Sequence, residues 1–458
     1  MSACRITLTP FPEAGEVSRV EAVYVFDALS VPAGQEIFRL QRSTVSVPGA
    51  EIARASLRDE TGEAPLSFRE SEAYPIRYRH AYAQRDVSGQ TEIRCDVLPC
   101  ERLSQGRHGP YFQFARENGG VSGPGLAFLI DVPDWQGDVS LRWDLSHLPA
   151  GSRGVCTWGE GEISYQGTLE RLLEAYYIFG PVHSVTEGDF GFYWLSEPPF
   201  DVAELAGFTR RLFGIMQRFF RDDQKAYRIF MRHDLTESSG GTALARSYMF
   251  GWNDRQKMTV LEQQNLLAHE MVHNWPHLND NPYGTTTWYA EGTAEYYSIM
   301  IPLKNGLITK EQALQQIQKR TDGYYTNPTR HLSNLEAAKI CWQDRRAQRL
   351  AYGRGIFFLA NTDAKLRRAT AGKAGIDDVV LDILAQGKRG VTLGNEVFLD
   401  AVRRIGGIDV TEDWRVMHAG GHFAPDGDSF GGLFAVSEEK AQEADTGREA
   451  ISYRWSLR

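Results

Sequence analysis

Cysteine is scarce in this sequence. Five cysteines are scattered over 458 residues, too few and too widely spaced for a disulfide framework or a paired-cysteine zinc clip. Only Cys95 and Cys100 lie close enough in sequence to suggest a pair. An odd, dispersed set is typical of reduced thiols, so we expect a cytoplasmic protein.

Basic stretches and long apolar runs are also missing. The chain has 50 lysines and arginines against 59 aspartates and glutamates, a formal net charge of -9. Without a basic stripe, a nucleic-acid partner is not expected. No run reaches the roughly 18 apolar residues that span a bilayer, and the N-terminus lacks a charged-then-apolar signal pattern. A membrane partner is therefore not expected either, and the oligomeric state stays open.

The first part of the chain has the pattern of β-structure. Residues 17–31 and 91–97 mix Val, Ile and Tyr with polar residues, and Gly, Pro and Asn turns separate such stretches. The apolar run at 127–132 is interpreted as a further strand. We expect residues 1–170 to form a β-rich region without a catalytic cluster.

The later part of the chain changes to helical spacing. Apolar residues recur at helical intervals in 201–221. From Thr309, which opens a capping-box pattern, to about residue 410 the chain is predicted to be mainly helical, with its longest helix at 350–370. Beyond Thr411 the chain is rich in Gly, Ser and charge, and residues 411–458 stay of uncertain structure. For the last stretch, 436–458, the pattern does not decide between a helix, a closing strand and a partly ordered tail.

A motif with chemical meaning lies in the segment NLLAHEMVHNWPHLN. His269, Glu270 and His273 form H-E-x-x-H. Residues four apart share one face of a helix, so both imidazoles can bind one ion. Glu270 lies about 100° round the helix, where it can reach a water on that ion without ligating it. The motif predicts a site for one zinc ion with a general base beside it; the apolar flanks argue against an exposed polar helix face.

A catalytic zinc needs a third protein ligand. His277 is four residues after His273, but Pro276 would end the helix before it. The longer metzincin pattern fails because an asparagine stands at its third histidine position. Glu291, in W-Y-A-E-G-T-A-E-Y-Y on the next predicted helix, is the best candidate. Glu295 lies on the same face and suits acceptance of the other ring N–H of a liganding histidine.

A glycine pair precedes the zinc helix. Gly240 and Gly241 can be a turn before the next strand. Alternatively they form a strand edge whose missing side chains let an extended peptide approach and pair with the backbone. The proximity in sequence to the metal motif favours the second interpretation.

These motifs resemble the gluzincin metallopeptidases. The alanyl aminopeptidase family has a similar H-E-x-x-H-x-W and a later x-E-G-x-A. The glycyl aminopeptidase family is the closer match, because Tyr352-Gly-Arg-Gly and the following D-A-K-L-R resemble its Y-x-K-G and D-x-x-L-R, with Arg354 in place of lysine. The resemblance covers about residues 170–410.

The resemblance implies an α+β multidomain fold. An N-terminal β-rich domain would occupy residues 1–170 and a thermolysin-like catalytic domain residues 171–308. A C-terminal helical domain would follow at residues 309–410. The segment 411–458 is left without an assigned structure.

The resemblance also implies roles for individual residues. His269, His273 and Glu291 would bind one Zn²⁺, and Glu270 would act as general base. Tyr352 would donate a hydrogen bond to the tetrahedral oxyanion. The gap between the second histidine and Glu291 is one residue shorter than is usual in the alanyl family, a difference that a loop can absorb.

The implied function is a zinc-dependent, aminopeptidase-like hydrolysis of peptide bonds, with a peptide or small molecule as substrate. The family's Gly-Gly motif is normally followed by a glutamate that binds the free amino terminus of the substrate. Here Gly240, Gly241 and Thr242 lead instead to Arg246, without an acid. We predict these four residues to bind substrate, and the arginine would suit a substrate carboxylate.

Two other functions fit the same motifs. A zinc and a general base can also open an ester or an epoxide. A non-catalytic interaction protein could retain a zinc for stability, although Glu270 argues against this, since a structural zinc site needs no base and tends to have four protein ligands.

Overall fold

The computed structural model describes residues 2–45, 47–73, 75–103, 111–236, 240–255 and 257–458. The strands in this described part are β1 (Ala3–Glu13), β2 (Glu16–Phe26), β3 (Glu36–Thr44), β4 (Val47–Pro48), β5 (Glu51–Asp59), β6 (Gly62–Glu63), β7 (Leu66–Ala73), β8 (Ile76–Ala83), β9 (Thr91–Leu98), β10 (Ala115–Glu117), β11 (Gly120–Pro124), β12 (Gly137–Trp143), β13 (Arg153–Cys156), β14 (Gly159–Glu160), β15 (Ile163–Gly167), β16 (Tyr176–Gly180), β17 (His183–Glu187), β18 (Phe190–Trp194), β19 (Tyr227–His233), β20 (Gly241–Leu244), β21 (Ser247–Trp252), β22 (Phe434–Gln442) and β23 (Glu449–Leu457).

The helices in the described part are α1 (Glu170–Leu173), α2 (Val202–Phe219), α3 (Val260–Val272), α4 (Thr287–Lys304), α5 (Lys310–Tyr325), α6 (Asn334–Ile340), α7 (Arg345–Gln348), α8 (Leu350–Ala369), α9 (Ile376–Lys388), α10 (Asn395–Gly406) and α11 (Thr411–His418). The helices predicted at 201–221 and 350–370 are confirmed as α2 and α8. None of the helices in the described part is both long enough and apolar enough to cross a bilayer.

The chain divides into two compact units. The first comprises Met1–Gly207 and Lys225–Met258, and the second comprises Phe208–Gln224 and Thr259–Arg458. All the strands except the β22–β23 hairpin belong to the first unit, and helices α3 to α11 belong to the second. The expected mixed fold, β-rich at the start and helical later, is confirmed.

The first unit is built on a seven-stranded sheet with the order β15-β12-β1-β2-β9-β5-β6. Alternate residues of β2, among them Ala22, Tyr24 and Phe26, are buried, as expected of a strand with one face on a core. A stacked pair, Phe114 and Phe128 with ring centroids 4.0 Å apart, lies in the same apolar cluster. The strands predicted at 17–31 and 91–97 correspond to β2 and β9.

A second sheet of this unit has the order β17-β18-β19-β21-β20. Strands β18, β19 and β21 are parallel, and β17 and β20 pair antiparallel at the two ends. The segment predicted as a strand edge thus forms β20, the last strand in this order. Its pairing with β21 includes Gly241 opposite Phe250.

The strand predicted at 127–132 is wrong. Residues Gly125–Ala127 form a short 3-10 turn, and Asp131 makes only an isolated bridge to Arg39. The turn packs closely on residues 172–175. Gly125 N donates to Ala175 O at 2.8 Å, and a Cβ at Gly125 would lie 2.1 Å from Leu172 O. The apolar run reflects burial of a loop rather than strand geometry.

The second unit is organised around α4, whose residues are buried on nearly all sides. Helix α8 crosses α4 where both lack side chains. A Cβ on Gly292 would lie 2.4 Å from Gly355 Cα, and a Cβ on Gly355 would lie 2.0 Å from Trp288 O. The two backbones therefore touch at this crossing, which lies one residue after Glu291 and three after Tyr352.

Arg354 ties helix α8 to the segment before α6. The side chain is fully buried, and it donates to Asn334 Oδ1 at 2.8 Å, to Arg330 O at 2.6 Å and to Leu332 O. A guanidinium offers five donors, so it can bond several acceptors that the single ammonium of a lysine would not reach together.

The C-terminal segment, left open by the sequence, forms α11 and the antiparallel β22–β23 hairpin. Strand β23 packs on α5: Trp455 Nε1 donates to Thr321 Oγ1 at 2.9 Å, and Gln318 Nε2 donates to Tyr453 O at 3.0 Å. The segment therefore covers a helix of the second unit.

The helix crossing predicts opposite effects for two glycine substitutions. Gly355→Ala should destabilise the chain by about 1–3 kcal/mol or more, because the new methyl group overlaps backbone. Gly323→Ala, in α5 with no atom near its Cβ position, should stabilise it by roughly 0.5–1 kcal/mol. Thermal denaturation of both variants checks this, and equal midpoints would contradict the close crossing.

Candidate active site

Helix α3 carries the H-E-x-x-H motif and is fixed at both ends. Thr259 Oγ1 accepts from Glu262 N at 3.2 Å and the Glu262 carboxylate accepts from Thr259 N at 3.0 Å, the capping box that starts the helix. The helix ends at His273. Just beyond, the Trp275 ring stacks on Phe220 and its Nε1 donates to Asp222 at 2.7 Å.

Three potential ligand atoms meet between α3 and α4. His269 Nε2 lies 3.2 Å from His273 Nε2, and Glu291 Oε2 lies 3.3 Å from the first and 3.6 Å from the second. Within the part of the chain that the structure describes, this is the one group of metal-ligating side chains with such proximity. The structure therefore brings the predicted ligands together.

This triangle fits a zinc ion. Ligand atoms bonded at roughly 2.0–2.1 Å in tetrahedral geometry stand about 3.4 Å apart, close to the separations found here. Glu291 Oε2 is buried and accepts no hydrogen bond of ordinary geometry from any described residue, which is costly for a carboxylate unless a cation is bound. Two imidazoles and one carboxylate are also a common ligand set for catalytic zinc.

Glu295 contacts the other nitrogen of the first ligand. Its Oε1 lies 3.4 Å from His269 Nδ1, and its second oxygen accepts from Arg320 Nε. Arg320 in turn donates to Asn265 Oδ1 at 2.8 Å. Such a contact fixes the orientation and tautomer of a liganding histidine, so Arg320 and Asn265 hold the carboxylate that orients His269.

Sequence reasoning missed Arg320. It follows Lys319 on a polar helix, and a Lys-Arg pair in such a setting is typical of a solvated face. Lys319 is indeed exposed and pairs with Glu262 at 3.0 Å, whereas Arg320 is largely buried against Glu295. A buried carboxylate needs a cationic partner, but nothing in the sequence indicates which of the two residues supplies it.

The proposed base, Glu270, has a raised pKa. Burial raises the pKa of its carboxyl to about 7, with Glu291 and Glu295 acting in the same direction and His269 and Arg349 opposing them. A bound cation would lower that pKa, since positive charge favours the ionised form. The pKa of Glu270 therefore results from two opposing effects, burial, which raises it, and nearby positive charge, which lowers it.

Burial acts to lower the pKa of His269, but Glu291, Glu295 and Glu270 outweigh it, so this pKa is raised. The pKa values of the other two proposed ligands, His273 and Glu291, are lowered. Burial lowers the pKa of His273 to about 4, so this imidazole is neutral and free to ligate at neutral pH. For Glu291 burial favours the neutral acid, but His273 and His269 outweigh it and the pKa is lowered. Both shifts favour the protonation states that metal ligands need.

Tyr352 lies against the first ligand. Its ring is parallel to that of His269, with an interplanar angle of 8° and centroids 5.6 Å apart. The guanidinium of Arg349 lies over the tyrosine ring, 4.9 Å from its centroid. Burial raises the pKa of Tyr352 well above its usual value, so the phenol stays protonated and can donate a hydrogen bond.

The rejected ligand, His277, lies outside the cluster. It is exposed, and its Nδ1 is 3.0 Å from Trp275 O. The helix has ended before it, as expected from Pro276. His277 is therefore not close to the other potential ligands, although it follows His273 by four residues.

The predicted substrate-binding residues belong to the first compact unit. Gly241 packs under Tyr248, since a Cβ there would lie 1.7 Å from the tyrosine hydroxyl oxygen. Thr242 Oγ1 accepts from Tyr111 N at 3.0 Å. Arg246 lies in the turn between β20 and β21 with φ 53°. Packing alone explains Gly241, and a role for these residues in substrate binding stays a prediction.

The H-E-x-x-H helix, the glutamate from the following helix and the adjacent tyrosine define a metallopeptidase site of the gluzincin class. A scan against protein-family models agrees: residues 262–352 match M61 glycyl aminopeptidase. The match includes every ligand candidate and ends at Tyr352. It covers about a fifth of the chain. A comparison with curated protein sequences finds no match.

Solved structures share the fold. An aminopeptidase N family protein from Idiomarina loihiensis superposes with a TM-score of 0.71 at 12% identity, over 96% of this chain and 79% of that one. An M1 zinc metallopeptidase variant from Deinococcus radiodurans, bound to a Tyr-Ser-Ala substrate, gives 0.55 at 14% identity, over 93% and 95%. At these identities the likeness concerns the fold.

The ligand geometry predicts the outcome of a paired substitution. His273→Ala should lose most of the bound zinc, because two remaining ligands hold a divalent ion poorly. His277→Ala should retain about one zinc per chain. Elemental analysis after dialysis checks both, and equal zinc in the two variants would contradict the assignment. A chelator should lower the melting temperature of the wild type and the His277 variant only.

Proposed function

We propose that this protein is a zinc-dependent peptidase of aminopeptidase-like type. The observation that carries the proposal is the triangle of His269 Nε2, His273 Nε2 and Glu291 Oε2, with sides of 3.2–3.6 Å. Glu270 lies beside it, between the two histidines in the sequence of the H-E-x-x-H motif. A structural zinc site needs no acid at that position, and it tends to use four protein ligands.

A zinc ion held by these three residues would supply Lewis acidity, which makes water a better nucleophile at neutral pH. Glu270 then accepts a proton from the attacking water and delivers it to the leaving amine. Burial raises the pKa of this carboxyl, which makes the carboxylate a better proton acceptor. Glu295 and Arg320 hold the first histidine in the orientation that the ligand set requires.

Tyr352 is proposed to stabilise the oxygen of the scissile carbonyl as negative charge develops on it. The parallel packing of its ring on His269 fixes the phenol beside the metal ligands. A protonated phenol, kept neutral by burial, donates one hydrogen bond whose strength grows with the charge on the acceptor.

The substrate class follows from several sources. The matched family is described as glycyl aminopeptidase, and one structural neighbour was solved with a Tyr-Ser-Ala substrate. These similarities support a peptide substrate. The chain has no acid shortly after Gly240 and Gly241 to bind an amino terminus. We propose that Arg246 and the β20 edge bind a substrate carboxylate and backbone instead.

Replacing the base tests the mechanism. Glu270→Gln should reduce kcat for peptide hydrolysis by about 10²–10⁴-fold, because the amide cannot accept the proton of the attacking water. Zinc content should equal that of the wild type. Turnover of a peptide amide and elemental analysis measure the two quantities. Wild-type rates in the zinc-loaded variant would contradict the mechanism, and ester or epoxide turnover without peptide cleavage would contradict the substrate class.

Removing the tyrosine hydroxyl tests the second role. Tyr352→Phe should lower kcat by roughly 10²–10³-fold with little change in KM, since the lost hydrogen bond acts on transition-state charge. The ring packing on His269 is retained, so zinc content and melting temperature should not change. A rise in KM at unchanged kcat would show that Tyr352 binds substrate instead.

A further inference from the structure

A pocket of about 130 Å³ opens beside the metal ligands. Glu291 and Tyr352 form part of its wall. The rest comes from the segment before α4, from the start of α4, from α6 with the two residues that follow it, from α7 and from the start of α8. All of these elements belong to the second compact unit. The pocket therefore begins at one proposed zinc ligand and at the proposed oxyanion donor.

Small side chains create the space. Ala338, Ala347 and Ala351 line the pocket together with Gly284. Ala338 packs closely on Gly284, since a Cβ on that glycine would lie 2.4 Å from its methyl group. Two broader apolar surfaces, Trp288 and Trp342, complete the wall. The volume of the pocket thus depends on a few side chains, and a single substitution to a larger or smaller residue can change it.

The pocket is suited to an uncharged occupant. Among its described lining residues Glu291 is the sole charged one. Two polar groups of the wall are already engaged within the protein: Thr287 Oγ1 donates to Asp280 at 2.7 Å, and Asn334 Oδ1 accepts from Arg354. With Glu291 bound to the proposed zinc, a charged side chain entering here would lose water without gaining an ionic partner.

We propose that this pocket binds the side chain of the substrate residue that carries the scissile carbonyl, and that it selects leucine, methionine or phenylalanine. The proposal rests on the peptidase function proposed above. With Tyr352 bonded to the carbonyl oxygen, the side chain on the adjoining Cα is the substrate group nearest to the wall that Tyr352 forms. The pocket volume of about 130 Å³ is suited to a side chain of this size, since an apolar cavity of about 150 Å³ accepts benzene.

Substitutions that fill and enlarge the pocket should have opposite effects. Ala338→Leu fills it, and Trp342→Ala enlarges it. Lys339→Leu is the matched control, because it adds a leucine at the next, exposed position of the same helix. A change of preference in opposite directions would not result from general damage to the fold.

The measurement is kcat/KM for glycine, leucine, phenylalanine, tryptophan and glutamate amides, each with a free and with an acetylated amino group. The wild type and Lys339→Leu should prefer leucine or phenylalanine to glycine and glutamate by at least about tenfold. In Ala338→Leu the leucine-to-glycine ratio should fall by about tenfold, with glycine turnover retained. In Trp342→Ala the tryptophan-to-leucine ratio should rise. If Ala338→Leu does not fold, the tryptophan-to-leucine ratio of Trp342→Ala tests the pocket instead.

Binding of amino-acid hydroxamates to the zinc-loaded chain separates the pocket from the peptidase function. Calorimetry should show leucine hydroxamate binding at least about tenfold more tightly than glycine hydroxamate in the wild type, and this difference should vanish in Ala338→Leu. The same result without any amide cleavage would sustain the pocket and overturn the peptidase. Amide cleavage with equal rates for glycine and leucine, or with a ratio unaffected by both pocket variants, would overturn the pocket alone.

Discussion

The close contact of helices α4 and α8 is the constraint on which the site depends. Gly292 and Gly355 let the two backbones touch, and the chemistry-bearing residues Glu291 and Tyr352 lie within a turn of that contact. A side chain at either glycine would separate the helices and move the carboxylate away from the phenol. The third partner, α3, adds the two histidines by local geometry alone, since residues four apart share a helix face.

The charges at the candidate site favour a bound cation. Three carboxylates, Glu270, Glu291 and Glu295, lie around His269 in a setting largely shielded from water. Arg320 compensates one of them by direct contact. Burial raises the pKa of Glu270 most, and the like charges of Glu291 and Glu295 raise it further. A divalent ion among the ligand atoms would relieve this repulsion, which is the physical reason the arrangement suits a metal.

Much of the fold was predictable, because the strongest signals are local. Helical spacing predicts α2 and α8 to within two residues at each end. The mixture of Val, Ile and Tyr with polar residues predicts β2 and β9. The apolar run at 127–132 was misinterpreted, since burial by itself does not distinguish a strand from a packed loop. The hairpin of β22 and β23 was left open because its polar strands are stabilised by packing on α5 rather than by their own pattern.

The sequence by itself determined which residues are proposed as ligands and base, because H-E-x-x-H acts through the fixed geometry of one helix and Glu291 follows on the next helix. Tertiary structure alone decided that Arg320 rather than its neighbour Lys319 holds Glu295, that Gly241 makes room for Tyr248, and that small residues of four separate segments enclose a pocket beside Tyr352. These contacts join residues distant in sequence, and composition or spacing does not encode which distant surfaces meet when the chain folds.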